Sequence, residues 1–446
     1  MSPASRTDKP RERALTILQS TERGGFADPL LDEARREFNA RDSAFILEMV
    51  YGVLRNRSLL DWTLDRFSEK PIAKTDAGTR NILRVALYQM LFLDRVPVSA
   101  AVNTAADLAK THGKKPGYVN GLLRSVERNR TALPLPAEDN PLSRLSIIHS
   151  HPAWLVRRWM ERFGMQRAEE FLRRNNRPAP LIIRTNTLKG SRDELVSLLE
   201  TQGASIRATA CSPAGIEILS SPGIAALPAY RDGWFLVQDE AAQIVSLLLS
   251  PAPGETVLDA CAAPGGKATH LAELMKNEGR VTALESDKKR GARISENSSR
   301  LGLSIVKPVT GDAAVYREGT YDKILIDAPC SGLGVLRRHP DGRWTKTEAS
   351  IRERSGLQKK ILKNSSKLLK PGGVLVYATC TTEPEENESV VNTFVASSGG
   401  EFRIDDPRPH LPDAAASLVG TDEFFRTFPD APSMDGFFGA RMIKRT

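Results

Sequence analysis

The feature that most constrains this chain is a series of short apolar runs in its C-terminal half, each separated from the next by a helical pattern. Residues 256–260, 280–285, 305–309, 321–327 and 374–379 are apolar and continuous rather than alternating, as strands covered on both faces must be. Strands that alternate with helices require a mostly parallel sheet with helices on both sides. A final strand at 437–443 is expected to close an edge. Residues 234–446 are therefore expected to form one α/β domain with a Rossmann-like sheet.

The chain has 446 residues, too many for one ordinary core, and the rest of it reads differently. Up to Arg130 the apolar residues recur at three- and four-residue steps, as in Phe45-Ile46, Met49-Val50, Val53-Leu54 and again Ile82-Leu83, Ala86-Leu87, Met90-Leu91. That period is helical, and strand signals are almost absent. An all-α domain is expected over 1–134, ending at Leu133-Pro134-Leu135-Pro136 and a polar stretch to Pro141. Residues 142–233 mix a helix (152–175), an alternating strand (181–186), a second helix (192–202) and short strands near Ile206 and at 216–219. They read as a small α/β connector.

Charge indicates the kind of partner. The 63 Lys+Arg against 54 Asp+Glu leave a formal +9, which favours a polyanion because each neutralised phosphate releases counterions. Aromatic residues are sparse, so a platform stacking many bases is not expected. Cys211, Cys261, Cys330 and Cys380 lie far apart, without the spacing of a zinc or redox motif. His149 and His151 have no matching ligand set, and no metal is expected. The polar N-terminus lacks a leader's apolar core, and no run approaches the roughly 20 apolar residues that span a membrane. A cytoplasmic, monomeric protein with reduced thiols is expected.

Asp259-Ala260-Cys261-Ala262-Ala263-Pro264-Gly265-Gly266-Lys267 follows the first strand of the sheet and opens a helix. Small residues let a ligand approach the backbone, and the helix start offers unpaired amides. Glu285 ends the second strand, where nucleotide-binding sheets place an acid on ribose hydroxyls. Asp312 follows the third strand, placed to accept from an adenine amino group. No Gly-Lys-Ser/Thr occurs at phosphate-loop spacing. The residues suit a cofactor rich in hydroxyl and amine groups rather than a triphosphate.

The fourth strand runs into Asp327-Ala328-Pro329-Cys330-Ser331-Gly332 and the fifth into Thr379-Cys380-Thr381. As neighbours about 5 Å apart, these strands bring both thiols over one cleft at the carboxyl edge of the sheet, where open α/β sheets bind ligands. A thiolate there suits methylation of cytosine at carbon 5, an otherwise poor nucleophile. Addition to carbon 6 creates an enamine that takes the methyl group, and expulsion of the thiol restores the ring. Asp327 is placed to hold the cytosine edge or the cofactor, and Lys267 to orient groups in the same cleft. Spacing alone leaves open which cysteine attacks.

These motifs resemble the NOL/NOP/Sun family of RNA cytosine-carbon-5 methyltransferases. Asp259–Lys267 resembles its first cofactor motif, Asp327–Gly332 its fourth-strand motif, Thr379-Cys380 its catalytic strand end and Asp435-Gly436-Phe437-Phe438 its closing motif. The resemblance implies S-adenosyl-L-methionine as cofactor, Cys380 as nucleophile and Cys330 as the group assisting product release. Val50-Tyr51-Gly52-Val53-Leu54-Arg55, Leu93–Pro97 and Tyr118–Arg124 resemble the helical domain of the antitermination factor NusB. That combination is similar to family members acting on small-subunit (16S) ribosomal RNA, which implies this RNA as substrate. Arg337, Arg338 and His339, directly after the Cys330 loop, are candidate contacts to RNA around an extruded base. Arg55, Arg57, Arg84, Arg95 and Arg124 offer the helical domain a second grip, though no site is assigned to them. Two other readings compete: the same chemistry on transfer RNA, and a non-catalytic RNA assembly factor.

Overall fold

The computed structural model describes residues 8–137, 139–428 and 434–446. Parts of the expected domains and linker that fall on 1–7, 138 and 429–433 lie outside the described residues. Two compact units emerge. One ends at Pro178 and takes in Leu336–Lys346; the other comprises Ala179–Val335 and Thr347–Thr446.

The first unit is helical, and its helix starts are written in the sequence. Asp8, Asn39, Asp76 and Asn140 each accept a backbone N–H of the first turn, opening Lys9–Glu22, Ala40–Phe67, Ala77–Phe92 and Pro141–Ile148. Such caps satisfy donors that a helix start leaves unpaired. Ala77–Phe92 is buried nearly all round, the mark of a central helix. Gly52 lets it approach Ala40–Phe67, since a Cβ there would sit 2.0 Å from the Tyr88 ring. The helices Ala153–Phe163 and Met165–Asn175 fall in this compact unit.

Leu336–Lys346 is built into the same unit. The buried Arg343 donates to Ser150 O at 3.2 Å, Asn175 O at 3.0 Å and Asn176 Oδ1 at 2.6 Å. Trp344 Nε1 donates to Leu54 O at 2.8 Å, and Asp341 Oδ2 accepts from Ala27 N at 3.1 Å.

The second unit holds two sheets. The smaller is antiparallel, in the order β2-β3-β1-β4, formed by β1 (Leu181–Thr185), β2 (Ser205–Ala208), β3 (Gly215–Ser220) and β4 (Phe235–Val237). Arg192–Thr201, opened by a Ser191/Glu194 capping box, contributes Leu195 and Leu199 to a core with Ile183, Ile216 and Phe235.

The larger sheet is formed by β5 (Thr256–Ala260), β6 (Arg280–Glu285), β7 (Val306–Thr310), β8 (Tyr321–Asp327), β9 (Leu369–Thr379), β10 (Phe402–Ile404), β11 (Phe425–Arg426) and β12 (Phe438–Lys444). Its order is β10-β12-β9-β8-β5-β6-β7, with β11 on β12. The strands β5 to β9 pair in parallel, and β12 runs antiparallel to β9. Val257, Val281, Leu325 and Val376 fill one face while Leu258, Leu284, Ile324 and Tyr377 fill the other. This is why those runs are continuously apolar. The last strand does not close the edge, because β10 pairs on its far side. Three residues are too few to show a period.

Candidate active site

The chain builds β5, β6 and β7 outward and then crosses back to place β8 on the other flank of β5. Ligands bind where a sheet reverses in this way, outside the strand ends. The reversal puts the loop after β5 beside the loops after β8 and β9.

Cys261 leaves β5 with a φ of 70° and Gly265 turns into Gly266–Leu274 with a φ of 99°. A Cβ at Gly265 would meet Ile294 Cα at 3.1 Å, so only glycine lets the loop lie on the helix Lys288–Leu301. Ala262 N donates to Leu284 O at 2.8 Å and Ala263 N to Glu285 Oε2 at 3.3 Å. Glu285 is thus partly used in holding the loop, with its Oε1 accepting from Asp287 N at 3.0 Å. Asp312 is exposed and turned back on Ala314 N at 2.9 Å.

Cys261, Ala263, Glu285, Asp312, Asp327, Cys330 and Cys380 share one cleft of about 390 Å³, within the ordinary range for small-molecule sites. Arg290, Arg354, Leu357 and Ile361 complete its wall. These residues carry no motif and were not singled out from the sequence. The three carboxylates in this wall suit hydroxyl and ammonium groups and oppose a triphosphate.

Lys267 Nζ lies 2.7 Å from Asp327 Oδ2. Burial pulls the Lys267 ammonium down, but Asp327, with Asp259 and Cys380 nearby, more than offsets it and raises its pKa. Behind it, Asp259 is fully buried, and burial together with Asp327 pushes its carboxyl up to about 8. It carries a proton at neutral pH.

In the β8–β9 register Asp327 lies opposite Ala378, and the two sulfurs beyond them are 3.4 Å apart. Gly334 N donates to Cys380 O at 3.1 Å and Gly436 N to Gly334 O at 2.8 Å. A Cβ at Gly436 would lie 2.8 Å from Gly334 Cα, which accounts for glycine in the Asp435-Gly436 motif. The hydrogen bond to Cys380, and then burial, raise the Cys330 thiol well above its ordinary range.

One functional residue escaped the sequence reading altogether. Arg184 on β1 is fully buried and grips the helix Gly266–Leu274. It donates to Gly266 O at 2.6 Å, to Thr269 Oγ1 at 3.0 Å and to both Glu273 oxygens at 3.1 and 2.8 Å. Alternation along β1 marks it as an ordinary strand position.

The RNA candidates differ in exposure. Arg337 is buried within the helical unit, where its carbonyl accepts from Arg55 at 3.2 Å, so its guanidinium is not a surface phosphate ligand. Arg338 is half-buried, and His339 Nδ1 lies 2.6 Å from Asp28 Oδ2. Arg84 is buried between Glu22 and Asp61, and Arg57 stacks on Trp344 at 4.9 Å.

Comparison with known proteins gives three family matches. Residues 246–443 match the family described as 16S rRNA methyltransferase RsmB/F, residues 8–128 the NusB family, and residues 151–224 the ferredoxin-like domain of RsmF/B-like methyltransferases. The probable ribosomal RNA small subunit methyltransferase B of Bacillus subtilis is 36% identical over 416 residues, 92% of each chain. Ribosomal RNA small subunit methyltransferase B of Sodalis glossinidius is 36% identical over 443 residues, 97% of each chain. Among solved structures, PH0851 aligns over 98% of this chain and 99% of its own, with a TM-score of 0.80 and 29% identity. A methyltransferase homolog protein from Pyrococcus horikoshii aligns over 69% of this chain and 100% of its own, with a TM-score of 0.58 and 29% identity.

Proposed function

The chain belongs to the family of ribosomal RNA small subunit methyltransferases B, and on that premise we propose that it methylates carbon 5 of one cytosine in 16S ribosomal RNA through a covalent adduct on Cys380. The observation that carries this reading is the pair of thiols 3.4 Å apart beside the Lys267–Asp327 ion pair. Full-length similarity to ribosomal RNA enzymes supports this RNA over transfer RNA. The complete thiol pair and cofactor acids support an enzyme over an inert assembly factor.

The cleft fits S-adenosyl-L-methionine. Glu285 and Asp312 would hold its ribose hydroxyls and adenine amine, and the Cys261–Lys267 turn its amino-acid end. When bound, it supplies the electrophilic methyl group. The protein's own residues do the rest. Cys330 is held as a neutral thiol, and Cys380, 3.4 Å from it, is the sulfur that adds to carbon 6. Asp327, held by Lys267, accepts from the cytosine amino group and fixes the ring over the sulfur. Addition makes carbon 5 nucleophilic; after methylation, loss of its proton expels Cys380 and restores the ring. Cys330, in contact with the departing sulfur, has a proton to give it.

Replacing Cys330 by Ala should therefore leave a denaturation-resistant adduct with 16S ribosomal RNA, seen as a retarded band on a denaturing gel. Replacing Cys380 as well should abolish it. Adduct persisting in the double variant would sink the assignment of Cys380.

A further inference from the structure

Glu386 and Asn387 are adjacent and buried, yet each serves a different thiol. Glu386 Oε1 accepts from Ser331 N at 2.8 Å and Gln358 Nε2 at 3.0 Å, and its Oε2 accepts from the Ser331 hydroxyl. Gln358 Nε2 also donates to Pro329 O at 3.1 Å. Both chain neighbours of Cys330 are thereby held. Asn387 Oδ1 accepts from Thr379 Oγ1 at 2.5 Å, and its Nδ2 donates to Thr381 O at 2.9 Å. Both chain neighbours of Cys380 are held as well.

The two cages meet where Ser331 Oγ and Thr381 Oγ1 lie 2.8 Å apart. The Ser331 proton points at Glu386, so Thr381 is the donor in that contact. Tyr377, on β9, anchors the dipeptide by donating to Glu386 O at 2.6 Å. None of these side chains lines the cleft, so they hold the thiols in place through their chain neighbours rather than by touching a substrate. A functional constellation needs such support, because looseness of about 1 Å is enough to spoil it.

We propose that Glu386-Asn387 is a two-sided clamp that aims the two thiols separately, Asn387 positioning Cys380 for attack and Glu386 positioning Cys330 for release. This rests on the two-thiol reading above. Adjacent residues then have opposite signatures. With 16S ribosomal RNA transcript and S-adenosylmethionine, Glu386→Gln should slow turnover at least tenfold at unchanged KM for the cofactor, while adduct accumulates as in Cys330→Ala. Asn387→Ala in the Cys330→Ala background should form adduct at least tenfold more slowly than Cys330→Ala alone. Ser331→Ala, a smaller change that removes one Glu386 contact, should also accumulate adduct.

Spacing can be read without RNA. Diamide takes one hydrogen from each thiol to leave a Cys330–Cys380 disulfide and a hydrazine, and peptide mapping times its formation. The resting protein should cross-link at least fivefold faster than Glu386→Gln or Asn387→Ala. If Cys330→Ala traps no adduct but cross-linking slows in the clamp variants, the chemical reading fails and the clamp stands. If Cys330→Ala traps adduct while Glu386→Gln and Ser331→Ala do not, or all variants cross-link at the resting rate, the clamp is refuted. Equal loss of adduct in the Glu386 and Asn387 variants refutes it too.

Discussion

Asp259 shows what one buried carboxyl does to a site. It sits behind the cofactor turn, and burial with Asp327 beside it raises its pKa from an ordinary 3.8 to about 8. A raised acid binds its proton more tightly in the folded chain than in the unfolded one. Its stabilisation is full below the unfolded value and is lost as pH rises toward about 8. Between pH 6 and pH 7 the wild type should lose about 1.4 kcal/mol relative to Asp259→Asn, which has no proton to lose. Denaturant midpoints of the two proteins at those pH values test this; parallel behaviour would show that Asp259 is already ionised. Nothing in the sequence hints at this state, because Asp259 reads there only as the start of a motif. Charge coupling needs Asp327, which lies 68 residues further along.

At the scale of elements, the grip of β1 on the helix Gly266–Leu274 is the contact on which the cofactor turn depends. Arg184 and Glu273 are both buried, and removing one partner of such a pair leaves an uncompensated charge. Arg184→Met should cost about 3–5 kcal/mol in denaturant unfolding and weaken S-adenosylmethionine binding, whereas Arg184→Met with Glu273→Met should recover most of the stability. A double variant no more stable than the single one would refute the pairing. Strands β5, β6 and β8 were legible to the residue because both of their faces are apolar. The β8–β9 neighbourhood followed from the alternation of strands and helices. What stayed hidden was polar and long-range: Arg184 looks like an alternation residue, and the Glu386-Asn387 contacts span loops that no periodicity links.

Over the whole molecule, each compact unit carries a histidine sealed from solvent, His151 in the helical unit and His270 in the sheet unit. Burial holds both well below the ordinary 6.5, so the folded chain keeps them neutral while the unfolded chain takes up protons. Stability is present above pH 6.5 and lost as pH falls through the folded values. Each histidine should cost about 1.4 kcal/mol per pH unit below that point. Calorimetry at pH 7 and pH 5 should show the transitions of both units moving down, and replacing His270 by Gln should flatten only the one belonging to the sheet unit.

The segment Leu336–Lys346 also sets a timetable. Ser150 O, Asn175 O and Asn176 Oδ1, all partners of Arg343, are synthesised 167 to 193 residues before it. At about 5–20 residues per second, a ribosome takes roughly 10–40 seconds to cover that gap. During this interval the nascent helical unit has its own core but an open seam. Completion of the first unit thus waits on translation through much of the second, and the carbonyls at that seam are left to water or to whatever attends the emerging chain.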